Sequence, residues 1–129
     1  MLQTHSRQAP VDLNQLAAAI TELYNCAQSC TACADACLGE QQIDMLRRCI
    51  TLCLSCADVC ETTGRLASRL TEADWSLLRS QLDSCITACQ LCGSECERHA
   101  EHHEHCRICA AACRRCEEAC NQLREAIAA

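Results

Sequence analysis

The amino-acid sequence predicts an all-α protein, an antiparallel up-down bundle of four helices with a core lined by cysteine. Four segments share the cysteine spacing CxxxCxxCxxxC, and steps of four and three residues place side chains on one face of a helix. The 129 residues include only three Gly and one Pro, so turn-forming residues are few. No run rich in Val, Ile and Thr alternates as a strand would. This length fits one domain with one core.

The repeated cysteine segments are the main feature of the chain. Each one forms a stripe of thiols about three helical turns long, and Cys106 extends the last stripe by one step of three. All 17 cysteines are then accounted for, and four such helices can direct their stripes to a common centre. The members of the stripes are Cys26, Cys30, Cys33 and Cys37; Cys49, Cys53, Cys56 and Cys60; Cys85, Cys89, Cys92 and Cys96; and Cys109, Cys113, Cys116 and Cys120.

Residues 1 to 9 are expected to form a disordered lead, and residues 10 to 129 a single four-helix domain. Pro10 suits the first turn of helix 1, and Gly39 suits the position that follows its last turn. Before its cysteines, helix 1 carries apolar residues in the same steps of three and four. These are Leu13, Leu16, Ile20 and Leu23.

Helix 2 follows a tight connection from Gly39 to Gln42. Ile43 and Leu46 precede its cysteines, Leu66 and Leu70 follow them, and Gly64 is expected to loosen it.

Helix 3 is expected to begin after Thr71 and Asp74, which resemble a capping box. Its stripe continues through the cysteines to His99. A turn is expected between His99 and Glu104, because an uninterrupted helix to the end of helix 4 would be too long for a globular domain. The remaining apolar stripe positions of helices 3 and 4 are Trp75, Leu78, Leu82, Leu123 and Ile127.

The helix registers place the apolar residues and the thiols at opposite ends of the bundle. Short connections make neighbouring helices antiparallel, so one end becomes an apolar plug and the other contains the thiol column. We call the thiol-rich end the mouth. It contains the connection between helices 1 and 2 and the connection between helices 3 and 4, and it also holds Met45, His99, His102 and His103. The leucine plug consists of Leu13, Leu16, Leu66, Leu70, Trp75, Leu78, Leu123 and Ile127.

Composition excludes several classes of partner and compartment. The net charge of -6 disfavours nucleic acid and anionic membranes as partners. No apolar run approaches the ~18 residues that a spanning helix needs, and the first twelve residues lack the apolar segment of a secretory signal. We therefore expect a cytoplasmic protein.

A secreted disulfide scaffold is the usual explanation of so much cysteine, but three features oppose it. The sequence has no secretory signal, and the number of cysteines is odd. Thiols at i and i+4 of one helix are also poorly placed for the dihedral angle of a disulfide. In a reducing compartment, such spacing is more typical of metal binding.

The cysteines could also be small hydrophobic core residues without chemistry of their own. Repetition of one register in four helices opposes this interpretation, since Ala or Leu would pack a bundle without the risk of oxidation. The interpretation as hydrophobic core residues does explain why the metal-free protein should fold, because neutral thiols pack as apolar groups. An enzyme or redox sensor would instead need a few exposed thiols of low pKa near cations, whereas the stripes predict buried ones.

A store for soft metal ions fits the spacing better. Side chains at i and i+4 have Cβ atoms ~5–6 Å apart, and an S–metal–S unit spans roughly 4.5 Å at the bond length of zinc thiolate. Thiolate selects Cu(I), Zn(II) or iron–sulfur clusters. Replacing a thiol proton by Cu(I) keeps the core neutral, whereas each Zn(II) tetrathiolate would carry a charge of -2 in a dry core.

Two other known cysteine motifs do not match the cysteine spacing of this chain. A ferredoxin segment reads CxxCxxCxxxCP, and here the first gap differs and the Pro is missing. A redox-active CxxC would stand at a junction between a strand and a helix, and no strand is expected.

The four cysteine helices, the leucine plug and the histidine-bearing end together resemble the bacterial copper storage proteins, in their cytosolic branch. The resemblance extends over nearly the whole chain from about Val11. It implies a bundle that binds many Cu(I) ions along its core through CxxxC pairs, without catalysis. It also implies a homotetramer and copper that enters at the histidine-bearing end. The alternative is a general thiolate buffer for Zn or Cd, resembling a metallothionein in role.

Histidines near the mouth are candidate ligands for arriving copper. His99 and His102 lie on the extended cysteine stripes, and both are predicted to bind Cu(I), although a solvated polar turn remains the alternative. His105 and His5 are assigned to solvent because they fit no stripe. Met45 could offer a thioether, but a plain hydrophobic role is favoured for it.

Overall fold

Four long helices form most of the protein, and they confirm the predicted all-α class. The structure is a computed structural model that describes residues 1–5 and 9–127. Within these ranges no strand is found, and a 3-10 turn at Ile43–Leu46 leads into the second helix. No helix of the described chain is both long and apolar enough to cross a membrane. The helices are α1 (Leu13–Leu38), α2 (Arg47–Ala67), α3 (Trp75–His99) and α4 (Glu104–Ile127).

The helices pack as a square with antiparallel neighbours. α1 contacts α2 and α4, and α3 contacts the same two helices. The connections between consecutive helices are short, which is the arrangement expected of an up-down bundle. Each helix can therefore direct one face to a shared axis, and the predicted bundle is confirmed.

Two aspartates cap helices, and the helix starts that they mark differ from those predicted from the sequence. α1 begins at Leu13, and the carboxylate of Asp12 accepts a hydrogen bond from the backbone N–H of Asn14 at 2.7 Å. Pro10 therefore lies before the helix and not in its first turn. The predicted capping box of Thr71 and Asp74 is also wrong, because Asp74 itself is the N-cap of α3. Capping needs an acceptor close to the unpaired N–H groups, and Asp74 provides it.

Gly64 does not interrupt α2, in contrast to the expectation that it loosens the helix. The ring of Tyr24 in α1 lies against it, and a Cβ atom added there would meet two ring carbons at 2.9 Å. The glycine thus allows a close approach between α1 and α2. α2 ends at Ala67, so Leu70 lies beyond the helix, although it remains buried.

The core divides into a thiol part and an apolar part, as predicted. All 17 cysteines are buried. Leu16, Leu70, Leu78 and Leu123 of the leucine plug are also buried. Its other members pack against the core while partly exposed: Leu13, Leu66, Trp75 and Ile127.

The beginning of the chain lies near the α2–α3 connection. Leu2–Thr4 forms a short 3-10 turn, and Leu2 packs against the core. His5 Nε2 lies 3.1 Å from Thr71 Oγ1. Residues 6–8, which belong to the predicted disordered lead, lie outside the described residues, as do residues 128–129. The division into a lead and a domain from residue 10 stays a prediction.

Candidate metal centre

Sulfur atoms of the thiol column lie close together both within and between helices. Along α1, Cys26 and Cys30 are 3.9 Å apart, and along α2, Cys56 and Cys60 are 3.7 Å apart. Distances between helices are equally short, with 3.6 Å from Cys49 to Cys96. The column is therefore a continuous network and not a set of isolated pairs on single helices.

The network contains groups of four sulfurs drawn from different helices. In each group the sulfur atoms lie within 4.8 Å of one another and all the residues are buried. Several cysteines belong to two groups, so neighbouring groups share members. Examples are Cys26, Cys56, Cys60 and Cys89; Cys30, Cys92, Cys109 and Cys113; and Cys33, Cys37, Cys49 and Cys106.

The sulfur–sulfur distances indicate how many sulfurs can bind one metal ion without a rearrangement of the column. At a metal–sulfur bond of ~2.3 Å, two sulfurs on opposite sides of an ion are about 4.6 Å apart, and three around one ion are about 4.0 Å apart. Neighbouring sulfurs here are separated by 3.6 Å at Cys53–Cys92 and by 4.0 Å at Cys116–Cys120. Binding of one ion by three or four sulfurs therefore requires little movement of the cysteine side chains. Binding of one ion by only two sulfurs requires those two sulfurs to move apart.

Hydrogen bonding and burial set the protonation of the thiols. Burial raises the pKa of Cys37, and the charges of thiolates at Cys33 and Cys49 would raise it further. A hydrogen bond from Cys113 lowers the pKa of Cys56 to about 7. The thiolate is the form of cysteine that binds a metal, so burial opposes the ionisation that accompanies metal binding, and hydrogen bonds from neighbouring thiols favour it.

The electrostatic surroundings of the column favour monovalent ions. The buried polar or charged residues of the described chain include Thr63 and Glu95 but no Arg, and the sequence contains no Lys. Within the described residues, no buried Arg or Lys is thus available to balance a charged cluster. Cu(I) in place of a thiol proton leaves the core neutral, whereas Zn(II) tetrathiolates would leave uncompensated negative charge.

His105 lies at the mouth, and its assignment to solvent is wrong. Its Nδ1 atom is 3.4 Å from the sulfur of Cys33, 3.6 Å from that of Cys106 and 4.0 Å from that of Cys37. A sequence signal for it exists, because His105 precedes Cys109 by four residues, one step along the stripe of α4. Burial lowers the pKa of His105, but the Cys33 thiol and the carboxylate of Glu40 outweigh it and raise the pKa above its ordinary value.

The two predicted histidine ligands are placed differently from His105. His99 Nε2 lies 2.8 Å from a carboxylate oxygen of Glu95, which is itself only 6% exposed. His102 is exposed in the turn between α3 and α4. Neither makes one of the described contacts with sulfur, so their binding of copper stays a prediction. Met45 is 66% exposed, which opposes the favoured hydrophobic role.

The opposite end of the column is closed by side chains that offer few ligands. Beyond Cys60, the hydroxyl of Thr63 donates to the carbonyl of Val59 and accepts from the amide of Gln81. Leu16, Leu82 and Leu123 are fully buried there. A soft ion finds thiols only from the mouth down to Cys60, Cys85 and Cys120.

Comparisons with known proteins agree with this geometry. Residues 12–125 match the family described as Csp, copper storage protein. The structure of the copper storage protein Ccsp from Streptomyces lividans, loaded with 10 copper equivalents, is 48% identical, with a TM-score of 0.94 over 96% of this chain and 95% of that one. A cytosolic copper storage protein from Streptomyces lividans, with five coppers, is 50% identical, with a TM-score of 0.86 over 87% and 93% of the two chains.

A further relative comes from another organism. The uncharacterized cysteine-rich protein YhjQ of Bacillus subtilis strain 168 is 34% identical over 106 residues, which cover 82% of this chain and 93% of that protein.

Proposed function

The chain belongs to the copper storage protein family, and we propose that it stores many Cu(I) ions on the thiolates that line its bundle. The observation that carries this proposal is the continuous network of 17 buried thiols. All 17 cysteines are proposed as ligands. The role is one of binding, and no catalytic step is assigned to the protein.

Loading is an exchange of protons for copper. Each Cu(I) that binds displaces one thiol proton, so the charge of the core does not change as ions accumulate. This exchange can be repeated along the column because no charge accumulates, whereas an excess of thiolate would find no buried Arg among the described residues to stabilise it. Sulfurs 3.6–4.0 Å apart then let an ion pass from one group to the next while it keeps at least one sulfur ligand.

Copper is proposed to enter at the mouth. There His105 faces Cys33, Cys37 and Cys106, and its imidazole is a suitable passing ligand for Cu(I). The other end is closed by the leucine plug. His99 is held by Glu95, so we assign it a weaker part in transfer than its place on the cysteine stripe suggests.

Localisation and assembly are also proposals. The Streptomyces lividans protein is described as cytosolic, and reduced thiols suit that compartment; we propose the same location here. The homotetramer implied by the family resemblance remains a proposal, supported by the exposed Leu54 and Ile108 on the outer faces of α2 and α4. Equilibrium ultracentrifugation of the reduced protein distinguishes a tetramer from a monomer.

Competition between metals tests copper storage against the alternative Zn or Cd buffer. The reduced protein is loaded with Zn(II), Cu(I) is added in steps under anaerobic conditions, and released zinc is followed with a zinc-responsive dye. We expect Cu(I) to displace all thiolate-bound zinc, because a neutral copper-loaded core is favoured over charged zinc clusters. Zinc that remains bound in the presence of excess Cu(I) would instead favour the general buffer.

A further inference from the structure

Side chains of α2 and α3 face one another in a row of pairs that continues beyond the last thiols. The sulfur–sulfur distances of the thiol pairs are 3.6–3.9 Å, for Cys49–Cys96, Cys53–Cys92, Cys56–Cys89 and Cys60–Cys85. The next pair is polar, because the amide of Gln81 donates a hydrogen bond to the hydroxyl oxygen of Thr63 at 3.1 Å. Thr63 is one step of three beyond Cys60 and Gln81 one step of four before Cys85, so the polar pair keeps the helical spacing. We call these pairs the α2–α3 ladder.

The sulfur contacts of the ladder do not select one alignment of α2 against α3. The sulfur of Cys53 lies 3.6 Å from that of Cys92 and 3.7 Å from that of Cys96. The sulfur of Cys60 is likewise almost equally far from two sulfurs of α3. A thiol is also only a weak hydrogen-bond donor and acceptor. If α2 slides by one helical step, it therefore exchanges one set of sulfur contacts for another of the same kind.

The polar pair is specific to one alignment. Thr63 is fully buried, and its hydroxyl donates to the carbonyl of Val59 at 2.7 Å, which fixes the direction in which its oxygen can accept. The 3.1 Å distance to the amide nitrogen of Gln81 is that of an ordinary N–H···O hydrogen bond. A slide of one helical step would separate the two groups, and a buried polar group that loses its partner costs free energy.

Other contacts between α2 and α3 select the alignment less strongly. Arg48 and Glu95 form an ion pair at 3.9 Å near the mouth, but the side chain of Arg48 is 67% exposed. Exposed ion pairs contribute little to stability. The burial of leucine side chains is favourable but has no preferred direction, so it tolerates small shifts better than a hydrogen bond does.

We propose that Thr63 and Gln81 are positioning residues that fix the alignment of α2 with α3 and thereby determine which sulfurs surround each ion. Buried polar pairs have this role in coiled coils, where they specify the register of helices. The membership of the sulfur groups depends on the alignment, since Cys60 of α2 and Cys89 of α3 share a group of four. The inference rests on the proposed storage of copper, and it extends the residues that determine copper coordination to a pair without sulfur.

Relaxation-dispersion NMR of backbone amides in the reduced apo protein tests the alignment, because it detects minor conformers that exchange in microseconds to milliseconds. Thr63→Val removes the hydroxyl, and Gln81→Met removes the amide while it keeps the length of the side chain. In both variants we expect the population of a second alignment to rise about fivefold, as for the loss of one hydrogen bond. The exchange broadening should extend along both helices as far as Cys49 and Cys96.

Two variants are matched controls. Thr63→Ser keeps a hydroxyl at the same position, and Thr62→Val changes the exposed neighbouring residue, so both should give the wild-type spectrum. The copper count of Thr63→Val should equal that of the wild type, because no thiol is lost. A low count in the wild type itself would contradict copper storage and not the alignment.

Three results would overturn the role of the polar pair. The first is a wild-type relaxation profile in both Thr63→Val and Gln81→Met. The second is broadening confined to the turns next to the substituted residue, which would indicate local loosening only. The third is equal broadening in Thr63→Ser or Thr62→Val.

Discussion

The imidazole Nδ1 of His105 lies 3.4 Å from the sulfur of Cys33, across the interface between α4 and α1. This contact places a nitrogen ligand at the first thiols that an ion would meet on leaving solvent. It also joins the start of α4 to the last turns of α1, where Cys37 is the final cysteine before the connection. With the proposed entry of copper at the mouth, His105 is the side chain expected to control its passage.

Replacement of His105 should change the rate of copper transfer more than the amount stored. We expect His105→Ala to load Cu(I), and to release it to a chelator, several-fold more slowly, with nearly the same final copper count. Stopped-flow absorbance with a coloured Cu(I) chelator measures both quantities. His5→Ala is the control, because His5 lies beside Thr71 at the other end of the bundle. If both variants transfer copper at the wild-type rate, the mouth is not the route.

Replacement of a cysteine deep in the column should have the opposite effect. The Cys56 sulfur lies 3.7 Å from that of Cys60 and 3.9 Å from that of Cys26, far from the mouth. Cys56→Ala should lower the count by about one Cu(I) per chain, because one exchangeable thiol proton is lost, and should alter the rate less. Ser55→Ala, at the exposed neighbouring position, should bind as the wild type does. An unchanged count in Cys56→Ala would contradict the role of the deep thiols.

The cysteine stripes and the leucine plug are predictable from sequence because both depend on helical periodicity within single segments. The position of His105 depends on how α4 faces α1, and spacing along one helix does not show which ring reaches a neighbouring helix. His99 continues the stripe as expected, yet the buried Glu95 holds it. The starts of α1 and α3, capped by Asp12 and Asp74, differ from those predicted because Pro, Thr and Asp all occur commonly near helix starts, and only backbone geometry selects among them.

The metal-free, reduced protein should be a folded helical bundle that loses stability at alkaline pH. Burial raises the pKa of the buried thiols and is the largest cause at Cys37. A hydrogen bond between two thiols raises the pKa of one and lowers that of the other, as at Cys106 and Cys33, so burial decides the net direction. A raised pKa in the folded state contributes stability below the unfolded thiol pKa of about 8.5, and this contribution is lost as pH rises toward the folded value. The free energy of unfolding in urea should therefore be lower at about pH 9.5 than at about pH 7.

The amino-acid composition of the chain makes the pH dependence of its stability a measure mainly of thiol ionisation. With no Lys and a single Tyr, thiols are the main side chains that titrate between those two pH values. The copper-loaded protein is the control, since its sulfurs carry copper and not protons, and its stability should change little. An apo protein that is a random coil by circular dichroism at neutral pH, or that is more stable at alkaline pH, would contradict the account.

The leucine plug should supply much of the stability of the apo protein without contributing to copper capacity. Leu78, a member of the plug, is buried in α3, whereas Leu77 on the same helix is 56% exposed. Leu78→Ala should lower the free energy of unfolding by about 2–5 kcal/mol, and Leu77→Ala by less than about 0.5 kcal/mol. Urea denaturation of the reduced apo proteins measures both values. Equal effects of the two substitutions would show that the plug does not pack as described.

Titration of the reduced protein with Cu(I) against a competing chelator tests the storage of copper most directly. We expect binding to continue to roughly one Cu(I) per cysteine, because each thiol proton can be exchanged for one ion without a change in the charge of the core. The thiols of the purified apo protein should also react fully with a thiol reagent, since the structure contains them free. Saturation at two or three ions per chain would contradict a continuous store and would indicate a few discrete sites.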